Sequence, residues 1–272
     1  MKKIEETIKY SLDGVVAFTE SDHTYKIGDK VLTSGTGFIK PFTKPFDAKA
    51  IAKKLSGMFK SKNYAKFKAG IALTDLEKKR ATQKYWLNDW KGAAEHGTRT
   101  HAIMENYVLE LDNKPNTLNE VAPYQLRDFK KATHGMDWLD KELDTLEEPE
   151  LYAEYIAYSE ELGIAGQIDL KVIDAKGVTH LYDWKTNKSI DKKSKYGDMC
   201  KEPIQEYSDC NFFKYTIQLS LYAYMEELKG AMIGKLCIPH LRENKVVYLE
   251  VEYRKDIIEK LLKYNDEKQD DK

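Results

Sequence analysis

The sequence predicts an α/β fold in which a mixed β-sheet is flanked by helices. Residues 46–107 carry apolar side chains at steps of three and four, a period that is typical of helices. Residues 151–184 alternate with a period of two and predict strands, and residues 212–228 return to the helical period. With 272 residues, of which 42% are hydrophobic and 33% charged, the chain can bury one substantial core.

The first 107 residues predict a small sheet followed by helices. Apolar segments separated by short turn signals, such as Gly28-Asp29, predict a β-hairpin or meander within the first 40 residues. The region from Phe46 to Tyr107 predicts a bundle of short helices. Its expected breaks are Gly57, Gly70 and Gly92.

The second half of the chain predicts most of the strands. Residues 120–147 predict a helix pair that ends before Pro149, and the turn Asp174-Ala175-Lys176-Gly177 favours a hairpin. The polar segment 186–210 predicts a long loop, which in a compact domain is usually functional or mobile. The remaining predicted elements are strands at 151–158, 166–173, 178–184, 235–240 and 246–253, a helix at 212–228, and a terminal helix that frays from Asn265.

Charge is balanced over the whole chain but not locally. The 44 Lys plus Arg and 45 Asp plus Glu residues give a net charge of −1, so an anionic partner has to be bound by a local patch. Lysines concentrate between residues 40 and 68, where Asp47 is the one acid and Phe59, Tyr64 and Phe67 are interleaved. Such lysines can follow a phosphate backbone while rings stack on bases. A solvated helix face with its aromatic residues turned to the core explains the segment equally well.

The sequence predicts an intracellular, cytoplasmic protein without a membrane partner. No apolar segment approaches the roughly 18 residues needed to span a bilayer, and the N-terminus lacks the apolar core of a signal peptide. Cys200, Cys210 and Cys237 are an odd number and are widely spaced, which favours free thiols in a reducing compartment.

The residues that best indicate a chemistry lie on the last two strands of the 151–184 meander. Pairing of these strands through their turn would place Asp169 close to Asp183, and alternation places Asp183 and Lys185 on one face. Carboxylate oxygens suit Mg²⁺ or Mn²⁺, and a neighbouring lysine can orient or deprotonate an attacking water and offset charge on a phosphate. A single D-x-K motif is more often an ordinary pair of surface charges, so other motifs have to decide.

Two helical motifs accompany these acids. His101 and Glu105 are spaced i and i+4 in the segment Gly97–Glu105, which is predicted to open a helix, and Gln218 and Tyr222 share one face of another helix. Taken singly, His101 would more often be a structural histidine, and Gln218 with Tyr222 an ordinary surface pair.

Taken together, the motifs resemble those of the RecB-like branch of the PD-(D/E)XK nuclease superfamily, and in particular the stand-alone exonuclease-like proteins of phages. The four signatures, in the family's order, are G-T-x-x-H-x-x-x-E at 97–105, G-x-x-D at 166–169, D-W-K-T at 183–186 and Q-x-x-x-Y at 218–222. The resemblance implies an α/β, restriction-endonuclease-like core with a mixed central sheet flanked by helices and an N-terminal helical wall.

The resemblance also implies one nuclease domain over residues 1–272. Its sections would be an N-terminal hairpin with basic helices at 1–95, a catalytic core at 96–255, and a C-terminal helix and tail at 256–272.

The resemblance implies a metal site. Asp169 and Asp183 would be the acidic ligands, His101 would add a ring nitrogen, and the backbone carbonyl of Trp184 would add an oxygen. Lys185 would be the catalytic lysine.

Further roles follow from the same resemblance. Gln218 and Tyr222 would hold the substrate strand or brace the site. Glu154 lies where related nucleases often keep an additional acidic metal ligand, and Glu105 would orient His101.

The chain departs from the family in three ways. Ile168 replaces the proline of the superfamily name, which is common in RecB-like members. Gly35 replaces a β-branched residue, which is expected to loosen the turn into the helices. The cysteines that hold an iron–sulfur cluster in several relatives are missing, so no cluster is expected.

The function implied is that of a Mg²⁺- or Mn²⁺-dependent DNA nuclease, an exonuclease in particular, which hydrolyses phosphodiester bonds with a metal-activated water. The lysines at 49–68 and at 188, 192, 193 and 195 would guide the DNA. An alternative is a catalytically idle module that binds nucleic acid or a partner and has kept the nuclease fold. A recombination or single-strand annealing protein as partner is compatible with the nuclease.

Overall fold

The structure is a computed structural model and describes residues 8–57, 75–115 and 124–270. The strands are β1 (Ile8–Tyr10), β2 (Ala17–Thr19), β3 (Thr24–Ile27), β4 (Lys30–Ser34), β5 (Glu150–Ser159), β6 (Ile164–Ile173), β7 (Val178–Tyr182), β8 (Met232–Arg242) and β9 (Lys245–Val251). The helices are α1 (Gly35–Ile39), α2 (Ala48–Ser56), α3 (Asp75–Leu111), α4 (Leu126–Leu143), α5 (Asn211–Leu228) and α6 (Lys255–Asp270), with a 3-10 turn at Lys40–Phe42.

The described strands form one nine-stranded mixed sheet. β1 to β4 make an antiparallel meander, and β4 continues the sheet by running parallel to β6. β6 is antiparallel to both β5 and β7, β7 runs parallel to β8, and β8 is antiparallel to β9. Parallel and antiparallel pairs therefore meet at β6 and β7, next to Asp169 and Asp183.

Helices cover both faces of the sheet. On one face α1, α5 and α6 form an apolar core with strand residues such as Leu181, here called the α5 core. On the other face α4 and the C-terminal part of α3 form a second core with residues such as Tyr182, here called the α4 core. Leu181 and Tyr182 are neighbours on β7 and enter different cores, as a strand period of two requires. The predicted fold class, a mixed sheet flanked by helices, is confirmed.

The chain divides into two compact units. One consists of Met1–Lys44 with Arg99–Lys272, and the other of Pro45–Thr98. The sheet and α1, α4, α5 and α6 belong to the first unit, and α2 belongs to the second. The organisation as a single nuclease domain with sections 1–95, 96–255 and 256–272 stays a prediction, as does the N-terminal helical wall.

The strand predictions are confirmed. The N-terminal meander is present, and so are the three consecutive strands β5, β6 and β7 with the predicted hairpin turn between the last two. The long loop lies between β7 and α5, and the two predicted strands after α5 are β8 and β9.

The prediction of several short helices is wrong for α3. This helix runs from Asp75 to Leu111 and passes straight through Gly92. Glycine inside a helix costs only about 1 kcal/mol relative to alanine, which a helix of this length absorbs. Gly57 does lie at the end of α2, and Gly70 lies outside the described residues. Neither α3 nor any other helix within the described ranges is long and apolar enough to cross a membrane.

Three other helix predictions need correction. Gly97 lies inside α3 and therefore does not open a helix. Within the described part of 120–147 there is one helix, α4, rather than a pair. α6 stays helical past Asn265 to Asp270, and residues 271 and 272 lie outside the described residues.

The lysine-rich segment is described only in part. Lys49, Lys53 and Lys54 lie on α2. Lys40 begins the 3-10 turn, and Lys44 pairs with Asp198. The remaining residues predicted to contact nucleic acid lie outside the described residues, and they are Lys60, Lys62, Lys66 and Lys68 with Phe59, Tyr64 and Phe67.

A buried ion pair joins the start of α4 to α3. Asp128 is fully buried, and its Oδ2 accepts hydrogen bonds from Arg99 Nε at 2.6 Å and from the Gln125 amide at 2.6 Å. One carboxylate therefore both caps α4 and neutralises a guanidinium that is itself buried.

Replacing Asp128 by alanine is expected to lower the free energy of unfolding by about 3 to 5 kcal/mol, because Arg99 would be left buried without its counter-charge. Urea denaturation followed by circular dichroism measures the effect. The exposed ion pair between Glu267 and Lys263 offers a control, since Glu267→Ala should change stability by less than about 1 kcal/mol. Equal stability of the two variants would contradict the assignment of Arg99 and Asp128 as a buried pair.

Candidate active site

Asp169 of β6 and Asp183, which directly follows β7, lie side by side on neighbouring strands. Leu170 of β6 pairs with Tyr182 of β7 in an antiparallel register. The same register places Asp183, the first residue after β7, opposite Asp169. The structure therefore brings together the two acids that the hairpin pattern predicts to be close.

Glu154 extends this row of acids onto β5. The antiparallel register of β5 and β6 is unbroken on both sides of Glu154, which places it opposite Asp169. The flanking pairs are Ala153 with Leu170 and Tyr155 with Ile168. Three carboxylates thus occupy neighbouring positions in the middle of β5, in the middle of β6 and just after the end of β7.

The strands reverse their faces at this row. On β6, Leu170 packs in the α4 core and Ile168 in the α5 core, although their even spacing would put both on one face. β5 changes faces in the same way around Glu154, whose φ of 47° lies in the left-handed region. Such a backbone costs of order 1–3 kcal/mol for a residue other than glycine. The reversal leaves Asp169 at the boundary between the two cores, within reach of helices on both faces.

Asp169 is bonded on both of its oxygens. Oδ1 lies 3.1 Å from Nδ1 of His101 on α3, and Oδ2 accepts the Trp184 amide at 2.5 Å. Burial raises the pKa of Asp169, but the charges of His101 and Lys185 outweigh burial and hold that pKa below its usual value. Burial in turn lowers the pKa of His101, and the Asp169 charge and hydrogen bond more than reverse this and raise it.

Asp183 forms an ion pair with Lys185. The two side chains lie on one face, as predicted, and only 5% of the Asp183 side chain is exposed. Burial raises the pKa of Asp183 despite Lys185, and Asp169 adds to the rise. Burial lowers the pKa of Lys185, but Asp183 and Asp169 outweigh it and raise that pKa. Among the described residues, Asp183 Oδ2 is buried and receives no hydrogen bond of standard geometry.

Glu154 carries the least compensated charge of the row. Burial raises its pKa well above the usual value, and the charges of Asp169 and Glu105 raise it further. Lys9 of β1 partly offsets them through a 3.1 Å contact with Glu105. In the structure Glu105 pairs with Lys9, and His101 contacts Asp169, so the orientation of His101 by Glu105 stays a prediction.

The acids fit a divalent cation by their chemistry. Within the described ranges, no three His, Cys, Asp or Glu side chains are already arranged around a metal-sized space. In the structure His101 contacts Asp169, and Lys185 contacts Asp183. Asp169 raises the pKa of both Glu154 and Asp183, and the buried Asp183 Oδ2 faces Lys185 without a hydrogen bond of standard geometry, so these acids form a donor set that a hard cation would stabilise. The predicted ligand role of the Trp184 carbonyl stays a prediction.

Gln218 and Tyr222 reach the site from α5. Gln218 Nε2 donates to the Tyr222 hydroxyl at 3.1 Å, and Tyr222 is almost fully buried. The Tyr222 ring lies against two glycines, because a Cβ on Gly166 would approach Tyr222 Cε1 to 2.3 Å and one on Gly35 to 2.6 Å. The expectation that Gly35 loosens the turn stays a prediction. Gly35 is the buried first residue of α1 and makes room for the ring.

Two residues near the acids, Lys9 and Tyr215, were not predicted from the sequence. Lys9 is far from the acids in sequence and carries no motif. Tyr215, whose ring lies 4.9 Å from Lys185 Nζ, shares a helix face with Gln218 and Tyr222 at a spacing of three and seven, and this spacing was a usable signal.

A family model of the PD-(D/E)XK nuclease superfamily matches residues 74–272. The chain belongs to this superfamily. Membership implies a metal-dependent nuclease, and such nucleases typically use divalent metal ions. The closer resemblance to RecB-like proteins and to phage exonucleases stays a prediction.

Other comparisons add little. No curated protein matches the chain. One solved structure, titled "Crystal structure of SSO0001", is 16% identical over 62% of this chain and 71% of that chain, with a TM-score of 0.27. That TM-score is too low to support a statement about fold or function.

Gly166→Ala is expected to destabilise the protein by about 1 to 3 kcal/mol, because the added methyl overlaps the Tyr222 ring. In a double-mutant cycle with Tyr222→Leu, the two changes should cost less together than the sum of their separate effects. Urea unfolding measures all three variants. Gly92→Ala is the control, since a methyl there meets nothing within 4 Å and should be neutral or stabilising. Strict additivity would show that Tyr222 does not rest on Gly166.

Proposed function

We propose that this protein is a Mg²⁺- or Mn²⁺-dependent deoxyribonuclease that hydrolyses phosphodiester bonds as an exonuclease. The observation that carries the proposal is the convergence of Asp169, Asp183 and Lys185 where β7 ends beside the middle of β6, with His101 in contact from α3. Two carboxylates and an ammonium at one point are what a metal-assisted attack on phosphate requires.

Asp169 and Asp183 would hold the divalent ion. His101 and the Trp184 carbonyl would complete its ligands, and Glu154 would add a third acid. When bound, the ion would polarise the phosphodiester and lower the pKa of a water. His101 and Lys185 occupy these oxygens otherwise, so they keep the acids neutralised until an ion is bound.

Lys185 would act on the attacking water and on the charge that develops on the phosphate. Its ammonium is held between Asp183 and the face of Tyr215, which limits where it can point. Gln218 and Tyr222 would brace the site or hold the substrate strand, and their mutual hydrogen bond, with the packing of Tyr222 on Gly166, supports a bracing role.

The loop after Lys185 offers lysines for the DNA backbone. Lys188 and Lys193 are exposed, whereas Lys192 lies over the Phe212 ring and Lys195 pairs with Asp191. Lysines of the segment 49–68 would contribute further phosphate contacts. A recombination or single-strand annealing protein is proposed as a partner, and the resemblance to phage exonucleases supports it.

A second candidate function is a catalytically idle module that binds nucleic acid or a protein. The contacts of His101 and Lys185 favour it, because they satisfy Asp169 and Asp183 without any metal. The two candidates differ in cleavage, which the next experiments measure.

Purified protein should degrade labelled DNA with Mg²⁺ or Mn²⁺ and should stop when a chelator is added. Asp183→Ala and Lys185→Ala should each lower the rate by about a hundredfold or more, because each removes a charge that acts on the reacting phosphate. Matched controls are Glu161→Gln and Lys176→Ala, which change exposed charges in turns of the same strands. Undiminished cleavage in both site variants would contradict the assigned roles.

Four substrates of the same sequence distinguish an exonuclease from an endonuclease and DNA from RNA as the substrate. They are an end-labelled linear duplex, a closed circular duplex, a single DNA strand and an RNA. An exonuclease should shorten the linear DNA progressively and leave the closed circle intact, because a circle offers no end. Gel electrophoresis over time reads the products. Nicking or linearisation of the circle would instead show an endonuclease, and DNA binding without cleavage of any substrate would favour the idle module.

A further inference from the structure

The backbone at Lys185 continues the sheet beyond the end of β7. The Lys185 amide donates to the Pro239 carbonyl at 3.1 Å, and the Leu241 amide donates to the Lys185 carbonyl at 2.8 Å. Lys185 therefore stays in the parallel register with β8, where it lies opposite His240. After this point the chain leaves the sheet and enters the long loop 186–210.

Two buried side chains hold the next two carbonyls. Lys131 Nζ of α4 donates to the Thr186 carbonyl at 2.8 Å. His240 Nε2 lies 2.6 Å from the Asn187 carbonyl, a distance at which the ring N–H donates. Lys131 is 9% exposed and His240 5% exposed. The three consecutive carbonyls at residues 185 to 187 are thus all bonded, the first and third to β8 and the second to α4.

Asn187 is also linked, through Tyr215, to the ammonium of Lys185. Tyr215 of α5 donates its hydroxyl to Asn187 Oδ1 at 3.0 Å. The ring of the same tyrosine lies 4.9 Å from Lys185 Nζ. Asn187 therefore connects the backbone bond from His240 to the ring against which the ammonium rests.

We propose that Lys131 and His240 are positioning residues that fix the backbone after Lys185 and thereby the place of its ammonium. The inference rests on the proposed function, in which Lys185 is the catalytic lysine. A lysine side chain turns about several bonds, so its ammonium is only as well placed as its backbone and its resting surface. A displacement of about 1 Å in a reacting group can cost about a hundredfold in rate.

The burial of Lys131 indicates that the side chain does more than fill space. An ammonium taken out of water costs free energy, and an apolar side chain of similar length would fill the same space at lower cost. Lys131 offers a charge-assisted donor to Thr186, which an apolar side chain lacks. The donor holds the chain at the point where a long loop would otherwise transmit its motion to Lys185.

The kinetic test compares Lys131→Met and His240→Leu, which remove the donors, with Lys130→Met, which changes an exposed neighbour on α4. The first two should lower kcat by about tenfold to a hundredfold and leave KM within about twofold, since substrate binding does not need the exact place of the ammonium. Lys130→Met should match the wild type. His240→Gln, which keeps an N–H donor, should recover most of the loss seen in His240→Leu.

A second readout follows Lys185 itself and needs no activity. The ring of Tyr215 should shift the ε-proton resonance of Lys185 upfield in protein labelled with ¹³C at lysine, and Tyr215→Leu identifies that signal by removing the shift. The signal should move toward the ordinary lysine position in Lys131→Met and His240→Leu and should stay in place in Lys130→Met. Urea unfolding checks that each variant is folded. If one of them does not fold, Tyr215→Phe is measured in its place, because it removes only the hydrogen bond to Asn187.

The outcomes separate this inference from the proposed function. An unmoved Lys185 signal with unchanged kcat in both donor variants overturns the inference and leaves the nuclease proposal intact. A wild-type protein that cleaves no nucleic acid overturns the nuclease proposal, and the resonance alone then decides whether Lys131 and His240 hold Lys185. An equal loss of kcat in His240→Gln and His240→Leu would also count against positioning through the N–H donor.

Discussion

Repulsion among the carboxylates that lie side by side on β5, on β6 and just after β7 is the constraint on which the rest of this structure depends. Glu154, Asp169 and Asp183 lie across three neighbouring strands, and burial acts to raise the pKa of all three. The fold places His101 beside Asp169 and Lys185 beside Asp183. An arrangement of this kind is stable without a metal and is suited to exchange its internal cations for one.

The sheet and its helices supply the geometry that this exchange needs. The reversal of faces at Glu154 and Asp169 lets a single carboxylate contact α3 while its neighbour Asp183 faces α5. On the α5 side, Tyr222 packs against glycine where any larger residue would overlap its ring. The cost of the strained Glu154 backbone is of order 1–3 kcal/mol and is carried by long strand pairs on either side. Strain held in this way is characteristic of functional sites.

Local pattern was enough to predict the adjacency of Asp169 and Asp183, because a period of two and a short turn determine which residues of a hairpin are opposite. The helix with Gln218 and Tyr222 was predicted from its own local pattern, in which apolar residues recur at steps of three and four. The prediction of a helix break at Gly92 was wrong, because one glycine lowers helix stability only slightly and α3 is long enough to tolerate it. The left-handed Glu154, and the contacts of Lys9, Lys131 and His240, depend on residues far apart in sequence. No local sequence pattern predicts this conformation or these contacts, because they form only when distant parts of the chain pack together.

Calorimetric titration with Mn²⁺ in the absence of nucleic acid tests most directly whether these acids form a metal site. The wild-type protein should bind the ion, and Asp169→Asn and Asp183→Asn should each bind it about tenfold more weakly or worse, since ligand loss costs at least as much as the loss of an outer partner. Glu161→Gln, an exposed acid in the turn before β6, should bind like the wild type. Binding that is unchanged in both aspartate variants, or no binding by the wild-type protein, would contradict a metal site at Asp169 and Asp183.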